Sequence, residues 1–209
     1  ASYAIDLANG GVAFVIGNVI HQGADAENST IVSYAAEGFE RQRNRLYFVH
    51  NTVVNDRSWG TFLAVRETPK DVAILNNLFV GPGDLDEDRR WAMTGNLASV
   101  RDPGFVDADA YDFRLGAGSE AIDAGNQVRK RLKAKFEYDH QADRHRRRDR
   151  ARPDIAAYAR CSGPFSRRPL LACAPPTGPR ARAARRDRRH RGASRTSTTY
   201  RSCACPAAP

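Results

Sequence analysis

The sequence predicts an all-β repeat protein in which short strands stack in parallel. Three observations support this fold class: a ten-residue phrase that recurs around an Asn, a second apolar run between its copies, and the turn residues that bound each run. The copies are AFVIGNVIHQ (13–22), LYFVHNTVVN (46–55), VAILNNLFVG (72–81) and, more weakly, WAMTGNLASV (91–100). Their asparagines are 33, 26 and 19 residues apart, a variable spacing that suits strands joined by loops of different length.

Each phrase has an apolar, β-branched and aromatic core of about five residues, which is short for a globular helix. The runs STIVSYA (29–35) and GTFLAV (60–65) lie between consecutive phrases and predict further strands. If like strands stack on like, the asparagines can hydrogen-bond to one another and to the turn backbone. We therefore predict a structural asparagine ladder of Asn18, Asn51, Asn77 and Asn96.

Charge is divided unevenly along the chain. Residues 1–128 contain 10 Lys and Arg against 18 Asp and Glu, a net charge of −8, whereas residues 129–209 contain 23 against 6, a net charge of +17. All four cysteines lie after residue 160. Disulfide bonds are therefore not expected to hold the predicted strands together.

These differences divide the chain into a strand-rich domain, residues 1–159, and a low-complexity tail, residues 160–209. The tail is rich in Arg, Pro and Ala and has neither helical nor strand periodicity. Three interpretations of it remain open: a disordered basic arm that binds nucleic acid or acidic polymers non-specifically, a solvated tail without a partner, or the product of a shifted reading frame.

Two segments that follow the repeats carry a family resemblance. They are RDPGFVDADAYDFRLGAGSEAIDAG (101–125) and RPDIAAYA (152–159). Together with the Asn-centred strands, they resemble the C-terminal portion of right-handed parallel β-helix repeat proteins, the pectate-lyase-like superfold. The resemblance covers roughly residues 5–159, and Ala156 and Ala159 stand where the family usually has Gly and Glu. Because these motifs belong to the scaffold, they imply the fold and leave activity open.

The resemblance also implies an exported protein, which is secreted or held at the cell surface or in the periplasm, although the chain shows no signal peptide. The sequence enters a strand almost at once, so we expect it to be the C-terminal part of a longer β-helix whose upstream coils are missing. No run is long enough to span a membrane, and we expect a monomer.

In function, the resemblance points to acidic polysaccharides. Enzymes of this fold that cleave them by β-elimination neutralise the uronate with a basic side chain or bound Ca²⁺, and an Arg, Lys or His removes a proton. The connections between strands offer Arg66, Lys70, His50 and Glu37 as candidate catalytic residues and His21, Gln22 and Glu67 as candidate substrate-binding residues. The group from Arg66 to Asp71 ranks first because it contains two basic and two acidic side chains within six residues.

Each candidate also has an ordinary structural interpretation. His50 shares its column with Gly17, Asn76 and Gly95, which is typical of a turn residue, and Glu37 precedes a glycine at a predicted turn. The residues around Arg66 form a charged loop between strands, and exposed charged loops are common.

The acidic loop DLDEDRR (84–90) is a candidate Ca²⁺ site through Asp84, Asp86 and Asp88. It lacks the Gly and the terminal Glu of an EF-hand loop, so a solvated turn is the alternative. Calcium is the one cofactor that the sequence suggests.

Two functions from different classes follow. The first is an extracellular carbohydrate-active protein that binds an acidic polysaccharide or acts on it as a lyase. The second is a non-catalytic β-helix used for surface adhesion or as a structural element. Nucleic-acid binding would depend on the basic tail alone, because residues 1–128 have a net charge of −8.

Overall fold

A computed structural model describes residues 3–67, 69–86, 91–139, 143–147 and 152–157. The described part is nearly all β, with one short 3₁₀ turn at Lys130–Leu132. Its strands are β1 Ile5–Leu7, β2 Val12–Ile16, β3 Val19–Gln22, β4 Thr30–Tyr34, β5 Arg45–Val49, β6 Thr52–Asn55, β7 Thr61–Val65, β8 Asp71–Leu75, β9 Leu78–Val80, β10 Ala92–Thr94, β11 Leu97–Val100, β12 Phe105–Asp107, β13 Asp112–Leu115, β14 Phe136–Asp139 and β15 Asp143–Arg146.

Most of these strands form three parallel sheets. Sheet 1 has the order β1-β4-β7, sheet 2 has the order β10-β8-β5-β2, and sheet 3 has the order β11-β9-β6-β3. From β2 onward the chain passes through sheets 2, 3 and 1 in turn and then begins the next coil beside the previous one. The predicted all-β fold with stacked parallel strands is confirmed, and the architecture is consistent with a β-solenoid.

Each recurring phrase contains two strands, one on either side of a corner at the recurring asparagine. In the second phrase, β5 ends at Val49 and β6 begins at Thr52, so His50 and Asn51 turn the chain from sheet 2 to sheet 3. The residue before each ladder Asn has a positive φ: 72° at Gly17, 54° at His50, 55° at Asn76 and 69° at Gly95. The column is thus a left-handed turn position, which Gly and Asn adopt most readily.

The four ladder asparagines are hydrogen-bonded in series. The Asn51 Nδ2 donates to the Asn77 Oδ1 at 3.0 Å, and the Asn77 Nδ2 donates to the Asn96 Oδ1 at 3.0 Å. At Asn18, Asn51 and Asn77 the backbone N–H donates to the same oxygen as the side chain, as at Asn51 and the Asn77 Oδ1 (2.9 Å). The ladder therefore satisfies the buried polar groups of Asn51 and Asn77 at the corners between sheets 2 and 3.

Apolar side chains from all three sheets fill the interior. Phe48, Phe62 and Phe79 are fully buried; the Phe48 and Phe79 rings stack with centroids 6.2 Å apart, and Phe62 lies 5.3 Å from Phe79. Burial of a side chain of this size stabilises a fold by roughly 2–3 kcal/mol. The interior of the coils thus supplies cohesion without disulfide bonds among the described residues.

Two C-terminal segments, residues 121–128 and 152–157, are attached to the corner between sheets 2 and 3. The Asn76 side chain donates to the Asn126 carbonyl at 2.7 Å and accepts from the Asn126 N–H at 2.8 Å. The Ala156 N–H donates to the Asn76 carbonyl at 3.1 Å. Residues 152–157, the described part of the segment 152–159, are therefore anchored on the coils.

The predicted tail, residues 160–209, and the four cysteines lie outside the described residues. Within the described part, no helix has the length and apolar character needed to cross a membrane.

Candidate functional site

Two aromatic side chains, Phe14 and Tyr47, stack on the outer surface of sheet 2. Strand alternation directs Leu46 and Phe48 into the core, whereas Tyr47 lies in a separate cluster on the outer surface. Phe14 of β2 pairs in register with Tyr47 of β5, and their rings stack with centroids 4.7 Å apart and an interplanar angle of 24°. Phe14 remains 52% exposed, so its ring is accessible at this surface.

The segment that contains the 3₁₀ turn covers part of this surface. Leu132 is buried against Tyr47, Val49 and Ala73. The neighbouring Arg131 lies over the Tyr47 ring at 5.1 Å, and its Nη2 donates to the Tyr47 hydroxyl at 3.1 Å. Apolar packing at Leu132 therefore fixes a segment whose other side chains are mainly cationic.

Three adjoining cavities, of about 540, 580 and 220 Å³, lie along this segment. The first two share Lys133 and Lys135, and the second and third share Phe14 and Arg131. We call their combined lining the basic face, because it contains nine cationic side chains: Arg43, Arg45, Lys130, Arg131, Lys133, Lys135, Arg144, Arg146 and Arg147.

Carboxylates contribute little to the basic face. Among the residues described, Glu137 is the one acidic side chain in the lining of the three cavities. Its Oε1 lies 3.7 Å from the Arg147 Nε, and both side chains are buried. A second exposed aromatic ring, Phe136, lies beneath the Arg144 guanidinium at 4.9 Å. The surface thus combines positive charge with accessible ring faces, a combination that can hold an anionic ligand with an apolar side.

His50 is a buried residue in the lining of the 540 Å³ cavity of the basic face. Burial, reinforced by the positive charge of Arg147, lowers the pKa of His50 to about 3, although a backbone hydrogen bond at Asp154 opposes the shift. The Asn76 Nδ2 lies 3.4 Å from the His50 Nε2. At neutral pH the imidazole is therefore uncharged and adds no positive charge to the basic face.

The predicted catalytic residues occupy two different corners of the coils. Arg66, Glu67 and Lys70 are exposed on the connection from β7 to β8, between sheets 1 and 2. Glu37 is exposed on the corresponding connection of the preceding coil. His50 instead lies at the corner between sheets 2 and 3, so the structure brings Glu37 to the same side as Arg66 and Lys70 but does not group His50 with them.

The connections that carry Glu37 and Lys70 are stacked on each other. The Arg66 N–H donates to the Tyr34 carbonyl at 3.0 Å, and the Lys70 N–H donates to the Asn44 carbonyl at 3.1 Å. The catalytic role of these side chains stays a prediction.

The predicted substrate-binding residues of β3 have partners within the protein. The His21 Nε2 lies 2.6 Å from the Asp56 Oδ2. Gln22 is buried, and its Nε2 donates to the Asn28 carbonyl at 2.9 Å, which is a turn contact. Gln22 therefore has a structural partner, whereas His21 lies at a cleft described below.

The structure describes residues 84–86 of the acidic loop. Asp84 is exposed and forms backbone hydrogen bonds with Gly60 and Phe62, and the Asp86 Oδ2 accepts from the Val65 N–H at 3.0 Å. Asp88 lies outside the described residues. Over the described ranges, no group of three His, Cys, Asp or Glu side chains is arranged to hold a metal ion.

The basic face was not predicted from the sequence. Its signal was present as RKRLKAK (129–135), in which five of the seven residues are cationic and the other two are one Leu and one Ala. The net charge of residues 129–209 includes both this folded segment and the Arg-rich tail, so it does not distinguish one from the other. Spacing alone also does not show that Leu132 packs on sheet 2 and thereby places these cations beside Phe14.

No family model matches the chain, and no significant match occurs among the curated proteins or among the solved structures. The fold and the site therefore define its class: an all-β protein of stacked parallel sheets that carries a basic face with exposed aromatic rings.

Proposed function

We propose that this protein is a right-handed parallel β-helix of the pectate-lyase-like class that binds an acidic polysaccharide outside the cell. The basic face is the binding surface in this proposal. The family resemblance of the Asn-centred strands and of residues 101–125 supports the class and the exported location.

The observation that carries the proposal is the charge and shape of the basic face. Among the residues that the structure describes, nine cationic side chains and one carboxylate line its three cavities, which adjoin one another along sheet 2. A row of adjoining cavities suits an extended chain with repeated carboxylates better than a single small anion. Phe14 and Phe136 offer apolar ring faces beside these charges, and sugar rings have apolar faces of their own.

Binding is the function that this geometry supports best, because the cations of the basic face need no further chemistry to hold uronates. Cleavage by β-elimination requires a base at the bound sugar in addition. The group at Arg66 and Lys70 remains the candidate for that step, and a non-catalytic β-helix that adheres to an acidic polymer is the alternative to a lyase.

The test is a titration of the full chain with polygalacturonate at low and physiological salt. Lys130 and Lys135 are both exposed on the basic face, so the Lys130→Gln/Lys135→Gln variant should weaken binding at least about tenfold. The affinity of the wild-type chain should fall as salt rises, because exposed charges are screened.

The matched control is Arg41→Gln/Arg101→Gln, which also removes two positive charges, from exposed side chains outside the basic face. Its affinity should stay within about twofold of that of the wild-type chain. Equal losses in both variants would show a dependence on net charge alone and would overturn the proposed surface. Release of unsaturated uronate products by wild type, and its loss in a separate Arg66→Gln/Lys70→Gln variant, would assign elimination to Arg66 and Lys70.

A further inference from the structure

A second cleft lies on the other side of the coils, between sheet 3 and the antiparallel hairpin of β12 and β13. It has a volume of about 870 Å³. Its lining includes the side chains Asp56, Arg57, Arg101, Asp109, Tyr111 and Phe113. None of these residues belongs to the basic face or to the predicted catalytic group.

Tyr111 is held in a conformation that its side chain disfavours. It follows β12 at the tip of the hairpin, and its φ is 59°, in the left-handed region where a bulky residue is rare. Its ring is nevertheless 60% exposed, so burial of the ring does not account for the strain. Residues with a strained backbone are found most often at active sites and binding sites.

The ring of Tyr111 lies at one wall of the cleft. Its centroid is 5.3 Å from the His21 ring and 6.3 Å from the Phe113 ring, in edge-on arrangements that leave a face accessible. The His21 Nε2 is in turn 2.6 Å from the Asp56 Oδ2 of the next coil. The wall therefore consists of an aromatic platform backed by a positioned His and carboxylate pair.

The polar groups of this cleft differ in kind from those of the basic face. Arg57 and Arg101 supply donors, whereas Asp56, Asp102 and Asp109 supply acceptors. The Arg57 Nε is buried and has no hydrogen-bond partner in the described structure, so a donor is left for a ligand to satisfy. Two cations against three carboxylates give the described lining no excess of positive charge, which disfavours a polyanion.

We propose that this cleft binds an uncharged saccharide. A hydroxyl group both donates and accepts hydrogen bonds, so a sugar ring suits a cleft that offers guanidinium donors and carboxylate acceptors together. Tyr111 is the stacking platform for the ring, as aromatic side chains are in pockets with few polar groups. The inference does not depend on the function of the basic face, because it rests on different residues and a different ligand chemistry.

The test uses the full chain on an array of immobilised uncharged glycans, such as glucans, xylans, mannans and galactans, with polygalacturonate on the same array. Wild type should bind at least one uncharged glycan. Tyr111→Gly should lose at least tenfold in affinity for that glycan while its melting temperature is unchanged or higher, because Gly adopts the positive φ without strain. Its binding of polygalacturonate should be unaffected.

Two further variants separate a binding role from a structural one. Val106→Ala changes an exposed residue of the same hairpin that does not line the cleft, and it should bind as wild type does. Asp109→Asn removes a carboxylate from the exposed lining and should lose several-fold in affinity even if Tyr111→Gly is poorly folded. Absence of binding to every uncharged glycan, or full affinity in Asp109→Asn and in a folded Tyr111→Gly, would overturn the inference.

Discussion

At the scale of single residues, a left-handed backbone explains which residues stand before the ladder asparagines. Gly, His, Asn and Gly stand at the four equivalent positions before the ladder asparagines, and all four have a positive φ. Gly95 has a second constraint, since an added Cβ would lie 2.3 Å from the Asn76 Oδ1, whereas at Gly17 the nearest atoms would be 3.4 Å away. A turn residue could be predicted at this column, but these side-chain contacts could not.

Ala156 is a residue at which the family resemblance and the backbone agree. The family that the sequence resembles usually has Gly there, and Ala156 is fully buried with a φ of 117°. Ala156→Gly should therefore stabilise the fold by about 1 kcal/mol, because relief of strain exceeds the entropic cost of Gly. Urea unfolding measures this change. The neighbour Ala157 is equally buried without a positive φ, so Ala157→Gly should destabilise the fold, and stabilisation by both changes would contradict the account.

His50 makes stability depend on pH in a defined direction. Its pKa is lowered to about 3 in the folded protein, whereas an unfolded His titrates near about 6.5. Between these values the unfolded chain binds more protons, so stability is fully present above pH of about 6.5 and is lost as pH falls toward about 3. The linked loss is on the order of 2 kcal/mol between pH 8 and pH 5.

The variant His50→Asn should remove most of this dependence, since Asn also adopts the left-handed turn and does not titrate. Urea unfolding at pH 8 and pH 5 compares the two chains. An unchanged difference between the two pH values in His50→Asn would show that other groups cause it.

At the scale of elements, the strands were largely predictable and their grouping was not. The apolar runs at 29–35 and 60–65 contain β4 and β7, and the phrases contain the strands of sheets 2 and 3. In sequence, each recurring phrase resembles a single apolar strand, because the corner within it occupies only two residues. The division into three strands per coil emerges from the left-handed residue and from the asparagine that follows it.

The asparagine ladder predicts graded effects of substitution. Asn77 is fully buried; its Oδ1 accepts from Asn51, and its Nδ2 donates to the Phe48 carbonyl and to the Asn96 Oδ1. Asn77→Ala should cost roughly 3–5 kcal/mol, because it removes several hydrogen bonds and leaves buried partners unsatisfied. Circular dichroism during thermal unfolding measures the loss.

Asn18 is the matched control at the exposed end of the ladder. Its side chain donates once, to the Asn51 Oδ1 at 3.1 Å, and water can replace that contact. Asn18→Ala should therefore cost about 1 kcal/mol or less. Similar costs at both positions would show that the ladder does not determine the stability of the coils.

At the scale of the whole molecule, cationic residues that are far apart in sequence lie on one surface. Arg43 and Arg45 come from the acidic part of the chain, whereas Lys130 to Arg147 come from the part with a net charge of +17, and both groups line the basic face. Through family resemblance the sequence predicts an acidic ligand and a candidate site at Arg66 and Lys70, and both stay predictions. The packing of Leu132 on Tyr47, which positions the cations, has no periodic signal.

The chain contains only four lysines, and this makes one measurement decisive for the basic face. Lys130, Lys133 and Lys135 line it, whereas Lys70 lies on the connection from β7 to β8. Acetylation of the lysines with and without polygalacturonate, read by mass spectrometry, reports which of them the polymer covers. We expect the three lysines of the basic face to be protected severalfold while Lys70 reacts as in the free protein. Protection of Lys70 with undiminished acetylation at the other three would contradict the account and would place the polymer at the Arg66 and Lys70 connection.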